Sequence, residues 1–133
     1  MSTVRNAMRP EIKKVPHTAT IKQVAAKMKS EKIGSLFVEK KKELVGIVTE
    51  TDIVRKAVAA GANLGKVTAE KIMSKPIVTI ESGRTINDAS DMMGDMSVRH
   101  LGVTEGGKIV GVVSVRDLLV AAQRFSEPKI TQD

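Results

Sequence analysis

The chain has 133 residues, no cysteine and a net charge of +7 at pH 7. The lack of cysteine excludes disulfides, thiolate metal sites and a cysteine nucleophile, and two phenylalanines as the only aromatic residues leave little for stacking on unpaired bases. No apolar run reaches the ~20 residues of a membrane span and no secretory signal is visible, so we expect a cytoplasmic protein with no membrane partner.

The apolar pattern of the first half predicts a series of short elements. In chain order they are a strand over residues 12–15, a helix from Thr20, strands over 35–39 and 44–48 joined by Lys40, Lys41 and Lys42, and a helix over 51–60 that Gly61 ends. On the first helix the apolar residues share one face, at Ile21, Val24, Ala25 and Met28. A capping box at Thr20 and Gln23 marks where this helix begins.

The second half repeats this order at an offset of 65 residues without a gap. Val45-Gly46-Ile47-Val48 matches Val110-Gly111-Val112-Val113. The matching elements are a strand over 77–80, a helix from Thr85, strands over 100–104 and 108–113, and a helix over 115–125. A unit of about 60 residues buries little surface alone. We therefore predict an α+β fold of two pseudo-symmetric βαββα repeats, residues 4–61 and 66–125, packed sheet to sheet, with a tail over 126–133.

The positive charge is concentrated in the first half of the chain. Residues 1–65 have 13 Lys and Arg against 6 Asp and Glu, whereas residues 66–133 have 9 of each. Such an excess is usually a solvated basic face. It can also attract phosphates, nucleic acid or an acidic partner protein.

Each predicted hairpin ends in the same local pattern, in which Thr or Ser closes a buried strand and Asp follows three residues later. The pairs are Thr49 with Asp52 and Ser114 with Asp117. As a structural feature this is a near capping box. As a binding feature, the free N–H groups of a helix start suit phosphate, and a fixed Asp carboxylate accepts ribose hydroxyls. The same residues can do both.

The duplicated pattern resembles the CBS-domain pair, or Bateman module, over about residues 4–125. The matching features are Met8 and Met73, Thr20-Ile21 and Thr85-Ile86, Leu36-Phe37-Val38 and Leu101-Gly102-Val103, and the Gly-led ending with Ser or Thr and Asp. The resemblance implies reversible binding of an adenosine nucleotide in clefts between the repeats. It implies that one repeat holds the base with its first and second strands while the other holds the ribose.

Two clefts with different residues follow from this resemblance. In one cleft the ribose would be held by Thr49, Thr51 and Asp52 and the base by Ile77, Thr79 and Val98. In the other cleft the ribose would be held by Ser114, Arg116 and Asp117 and the base by Ile12, Lys14, Ile33, Gly34 and Ser35. Arg99 and His100 stand where basic residues contact phosphate in nucleotide-binding members, and the planar fork of Arg suits phosphate oxygens. Alternatively, Arg99 is a solvated charge and His100 a buried, hydrogen-bonded side chain.

The sequence shows no catalytic constellation, no glycine-rich phosphate loop and no metal-ligand spacing, so we expect neither an enzyme nor a metal site. The expected function is a regulatory sensor of AMP, ADP or ATP that requires no cofactor. We also expect a homodimer, to which Met92 and Met96 contribute, and an unidentified protein effector. Two alternatives stay open: an adaptor for nucleic acid or a partner protein that uses the basic first repeat, and a binder of S-adenosylmethionine or NAD. Any nucleic-acid binding should be weak and nonspecific.

Overall fold

The computed structural model describes residues 2–126. Its elements are α1 (Val4–Ala7), β1 (Lys14–Pro16), α2 (Ile21–Glu31), β2 (Ser35–Lys40), β3 (Glu43–Thr49), α3 (Glu50–Asp52) continued by a π-helix (Ile53–Val58), α4 (Ala69–Ile72), β4 (Thr79–Glu81), α5 (Ile86–Met96), β5 (His100–Glu105), β6 (Lys108–Ser114) and α6 (Val115–Ser126). The α+β class and the duplicated order of elements are thus confirmed. The predicted tail beyond Ser126 lies outside the described residues.

The described chain forms two compact units that are not the two halves of the sequence. The first-repeat unit is Lys13–Ile77, and the second-repeat unit joins residues 2–12 to residues 78–126. The segment before each repeat, which we call its lead-in (residues 3–10 and 68–75), therefore packs with the repeat that it does not precede. The predicted repeat boundaries describe the duplicated sequence and stay a prediction.

Each unit contains, within the described residues, one three-stranded sheet with a parallel and an antiparallel pair. The strand orders are β1-β2-β3 and β4-β5-β6. The parallel pairs are β1 with β2 and β4 with β5, and α2 and α5 are the crossover helices between them. The predicted first strands were placed two residues too early, because the ladders run over Lys14–Pro16 and Thr79–Glu81.

The crossover helices begin as their sequences predict. Thr20 accepts from Gln23 N at 3.2 Å while Gln23 Oε1 accepts from Thr20 N, and Thr85 and Asp88 form the same capping box. Ile21, Val24 and Met28 are buried on the core side of α2, but Ala25 is exposed, so the predicted apolar face was too wide by one residue.

The two repeated glycines of the hairpins make room for the lead-in backbone. Residue Ser74 exchanges two backbone hydrogen bonds with Ile47, and Arg9 does the same with Val112. A Cβ on Gly46 would meet the Met73 side chain and the Ser74 carbonyl, and a Cβ on Gly111 would collide with the Arg9 carbonyl. Glycine is therefore required where the lead-in crosses each hairpin.

The last helices of the two repeats differ in winding. In the second repeat α6 is α-helical over Val115–Ser126, close to the predicted range. In the first repeat only Glu50–Asp52 is α-helical, and a π-helix follows up to Val58, so the predicted α-helix over 51–60 is wrong in type. Among the described residues, none of the helices is long and apolar enough to cross a membrane.

Candidate functional site

Both predicted Ser/Thr and Asp pairs are capping boxes at the end of a hairpin strand. Thr49 N donates to Asp52 Oδ2 at 3.0 Å, and Asp52 N donates to Thr49 Oγ1 at 3.2 Å. In the other unit Ser114 N donates to Asp117 Oδ2 at 2.9 Å, and Asp117 N donates to Ser114 Oγ at 3.1 Å. Each carboxylate is therefore fixed by its own helix start, with the second oxygen left for another partner.

The sheet register brings the predicted base and phosphate residues next to these caps within each unit. Ser35, the first residue of β2, lies opposite Thr49, and His100, the first residue of β5, lies opposite Ser114. The preceding residues also contact the helix starts, because Glu50 N donates to the Gly34 carbonyl and Val115 N to the Arg99 carbonyl. Each unit thus collects the ribose residues of one predicted cleft and, apart from Ile12 and Ile77, the base residues of the other at one end of its sheet.

The remaining predicted residues differ in exposure. Lys14, Thr79, Arg99 and Arg116 are exposed, Ser35 is buried, and the half-buried group contains Ile12, Ile33, Gly34, Thr51, Ile77, Val98 and His100. Lys14 Nζ is paired with Glu39 at 2.6 Å. Ile12 and Ile77 precede the strands to which they were assigned. Each predicted cleft takes residues from both units, and that combination stays a prediction.

The carboxylate of Asp52 is held by two further side chains of its own unit. Its Oδ1 accepts from Ser74 Oγ at 2.9 Å and lies 3.0 Å from Lys56 Nζ. The Asp52 side chain is only 7% exposed. A buried carboxylate needs such partners, because an uncompensated buried charge is strongly destabilising.

The carboxylate of Asp117 has a looser environment. Arg9 Nε lies 3.8 Å from Asp117 Oδ1, beyond hydrogen-bond distance, and the Asp117 side chain is 15% exposed. Arg9 and Ser74 occupy matching positions of the two lead-ins, so the same location provides a distant guanidinium in one unit and a bonded hydroxyl in the other.

Sequence analysis missed Ser74, Lys56 and Arg9 as neighbours of the caps. Ser74 and Arg9 directly follow the repeated Met73 and Met8. A polar residue at the same position of both repeats was the signal that could have identified them. Lys56 gave a second signal, because it lies four residues after Asp52, the spacing at which helical side chains meet.

The charge of the chain is divided more sharply between the units than between the halves of the sequence. Lys13–Ile77 contains 14 Lys and Arg against 6 Asp and Glu, whereas residues 2–12 with 78–126 contain 7 of each. The first-repeat unit therefore has a net charge of +8, and the described part of the second-repeat unit has none.

The duplicated fold and its two capping boxes belong to a known protein family. Residues 4–59 and residues 69–124 each match the CBS domain family, so the chain belongs to the CBS-domain proteins and carries two copies of the domain. The resemblance stated from the sequence is thereby confirmed. CBS-domain pairs are generally regulatory modules that bind adenosine ligands, and they are generally not catalytic.

Two curated relatives illustrate the range of this similarity. An uncharacterized protein of Methanopyrus kandleri is 39% identical over 104 residues, which are 77% of this chain and 53% of that protein. The CBS domain-containing protein YhcV of Bacillus subtilis is 29% identical over 120 residues, which are 90% of this chain and 85% of that protein. This chain therefore spans about half of the first relative and most of the second.

Solved structures share the fold over nearly the whole chain. An uncharacterized conserved protein from Pyrococcus horikoshii has a TM-score of 0.87 at 25% identity and covers 96% of this chain and 97% of its own. The hexameric CBS-CP12 protein from bloom-forming cyanobacteria has a TM-score of 0.86 at 28% identity, covering 98% of this chain and 76% of its own.

Proposed function

We propose that this chain is a regulatory module that binds an adenosine nucleotide, AMP, ADP or ATP, reversibly and without catalysis. The observation that carries the proposal is the duplicated capping box beside a strand start, at Thr49 and Asp52 and again at Ser114 and Asp117. A carboxylate oxygen that the cap does not use is a suitable acceptor for ribose hydroxyls. The helix start beside it offers positive dipole to phosphate.

The residues around the caps supply the remaining chemistry of a nucleotide site. Arg99 and Arg116 are exposed beside the helix starts, where a guanidinium can form charge-assisted hydrogen bonds with phosphate oxygens. Ile33 and Val98 are half-buried apolar residues two positions before the strand starts, suited to contact a purine ring. S-adenosylmethionine and NAD contain the same adenosine moiety and remain alternative ligands.

A second candidate function is favoured by the charge of the first-repeat unit. Its net charge of +8 suits a polyanion, whether nucleic acid or an acidic partner protein. Sequence-selective nucleic-acid binding has little support, because the chain has only two aromatic residues for stacking.

We also propose that the protein acts as a homodimer in the cytoplasm. Large apolar side chains are exposed on the last helices, with Leu119 at 62% and Val54 at 59%, and on α5 Met96 at 52%. An apolar groove of about 340 Å³ lies between α5 and α6. Self-association through such helix faces would bury this surface. Light scattering should give a dimer of the 14.3 kDa chain, and Leu119→Lys should give a monomer.

A thermal-shift panel tests the ligand class most cheaply. The panel contains AMP, ADP, ATP, adenosine, S-adenosylmethionine and NAD, with GMP and GTP as base controls. A ligand that binds only the folded state stabilises it by RT ln(1 + [L]/Kd), about 2.7 kcal/mol at a hundredfold excess over Kd. We expect a concentration-dependent rise in melting temperature with adenine nucleotides. No shift with any adenosine ligand, or equal shifts with GMP, would contradict the proposal.

A further inference from the structure

The two capped carboxylates differ in their free capacity to accept hydrogen bonds. An ionised carboxylate has roughly four acceptor positions. At Asp52, Thr49 N and Ser74 Oγ donate to the carboxylate at 3.0 and 2.9 Å, and Lys56 Nζ forms an ion pair with Oδ1 at 3.0 Å. At Asp117, among the described residues, Ser114 N at 2.9 Å is the one hydrogen-bond donor to the carboxylate. The free capacity therefore lies in the second-repeat unit.

Lys56 and Ser74 form a closed cluster with Asp52. Lys56 Nζ donates to the Ile72 carbonyl at 3.2 Å and to Ser74 Oγ at 3.3 Å, in addition to its ion pair with Asp52. The ammonium is thus held by two hydrogen bonds and one ion pair. A ribose diol approaching Asp52 would have to compete with the Ser74 hydroxyl and the Lys56 ammonium for Oδ1, and displacing the ammonium would leave the buried charge of Asp52 unpaired.

No such cluster exists at the matching positions of the second-repeat unit. At the 65-residue offset Ser74 matches Arg9 and Lys56 matches Ala121, which has no polar side-chain atom. Arg9 Nε lies 3.8 Å from Asp117 Oδ1, so it occupies no hydrogen-bond position of that carboxylate. A ribose diol can therefore bond to Asp117 at little cost.

We infer that Ser74 and Lys56 close the Asp52 half-site by taking the place of the ribose hydroxyls, so that the expected ribose contact is made at Asp117 alone. This inference rests on the function proposed above and makes it more specific. Each chain then binds one equivalent of nucleotide instead of two. Ser74 and Lys56 are the residues that set this number.

Isothermal titration calorimetry with AMP measures the number of sites directly. The wild-type chain should bind one equivalent, and Asp117→Asn should weaken that binding by at least tenfold. Lys56→Ala/Ser74→Ala should raise the number to two. The matched control Lys22→Ala/Ser30→Ala removes a lysine and a serine from exposed positions on α2 and should leave the number at one.

Several outcomes would overturn this inference. They are two equivalents bound by the wild type, one equivalent bound by folded Lys56→Ala/Ser74→Ala, or loss of the wild-type site in Asp52→Asn while Asp117→Asn retains it. If the double variant does not fold, Lys56→Met/Ser74→Ala removes the same two partners of Asp52 while keeping most of the lysine side-chain volume, and serves as the same test. Absence of binding by AMP, ADP and ATP alike would instead refute the proposed function itself.

Discussion

Arg5 Nη2 lies 2.8 Å from Glu105 Oε2, and this ion pair joins α1 to the end of β5. The matching positions of the first-repeat unit hold Glu70 on α4 and Lys40 at the end of β2, also 2.8 Å apart. The two units thus have the same ion pair with its charges exchanged. If each lead-in helix packed on the repeat that it precedes, Arg5 would face Lys40 and Glu70 would face Glu105. The exchanged charges therefore favour the observed pairing of lead-ins and repeats.

Reversing one charge should disturb this pairing. Lys40→Glu places a carboxylate against Glu70, so we expect a lower melting temperature, with the loss reduced at high salt because salt screens exposed charges. Glu70→Lys in the same chain should restore most of the loss. Lys42→Glu, on the exposed hairpin, is the control for charge alone. A Lys40→Glu/Glu70→Lys chain as unstable as Lys40→Glu would show that the pair has no such role.

The same carboxylates predict how stability depends on pH. The hydrogen bond from Lys40 lowers the pKa of Glu70, and hydrogen bonds from Ser82 and Arg5 lower the pKa of Glu105. An unfolded Glu titrates near pH 4.3, so the unfolded chain binds protons at a higher pH than the folded one. The stabilisation that these two ionised carboxylates give the folded state is complete above that pH, and it is lost as the pH falls through their pKa values in the folded chain. Melting temperature should fall below about pH 5, and more steeply for the wild type than for Lys40→Ala. Parallel curves would contradict the assignment.

Much of the fold was predictable from the sequence because the signals are local. The capping boxes at Thr20 and Thr85 and the alternation of β2, β3, β5 and β6 each report on their own segment. The hairpin turns were also found, although Lys41 and Lys42 adopt the positive φ angles that Gly106 and Gly107 adopt without cost. Lys32 and Ser97 end α2 and α5 in the same left-handed conformation without the expected glycine.

What could not be predicted depends on contacts between distant segments. The lead-ins pack in the unit of the other repeat, and the apolar pattern of α1 and α4 does not indicate which repeat they contact. For the same reason the two clefts were predicted to differ in their base residues, with Lys14 against Thr79, but not in the partners of their caps. The difference between them comes from Ser74, which is 22 residues from Asp52 in the chain and 2.9 Å away in space.

The glycines beneath the lead-ins should respond unequally to an added methyl group. Gly111→Ala meets the Arg9 backbone, which cannot move freely, whereas Gly46→Ala first meets the flexible Met73 side chain. Overpacking of this kind costs about 1–3 kcal/mol, and we expect Gly111→Ala at the upper end and Gly46→Ala at the lower. Gly94→Ala on α5 is the control, because nothing lies within 4 Å of its added Cβ and the change should stabilise by roughly 1 kcal/mol. Denaturant unfolding gives all three values, and equal losses at Gly46 and Gly111 would contradict the packing argument.

The basic first-repeat unit should bind polyanions weakly and without base discrimination. Clustered lysines release counterions from phosphate backbones, so affinity falls steeply with salt and should be gone by about 0.2 M. Replacing Lys40, Lys41 and Lys42 with Ala should reduce the affinity for oligonucleotides further, while AMP binding persists. Fluorescence anisotropy with several unrelated oligonucleotides tests this over a salt series. Tight, sequence-selective binding at moderate salt would favour a nucleic-acid adaptor function over the proposed nucleotide sensor.

The most direct test of nucleotide recognition by the capped carboxylates compares AMP titrations of the wild-type chain and of Asp52→Asn/Asp117→Asn. Asparagine keeps an oxygen for the cap but lacks the negative charge that pairs with ribose hydroxyls. Calorimetry should show saturable binding of AMP to the wild type and none to the double variant, with both chains folded by circular dichroism. Equal AMP affinity in the two chains, or no binding of AMP, ADP or ATP to the wild type, would contradict the account.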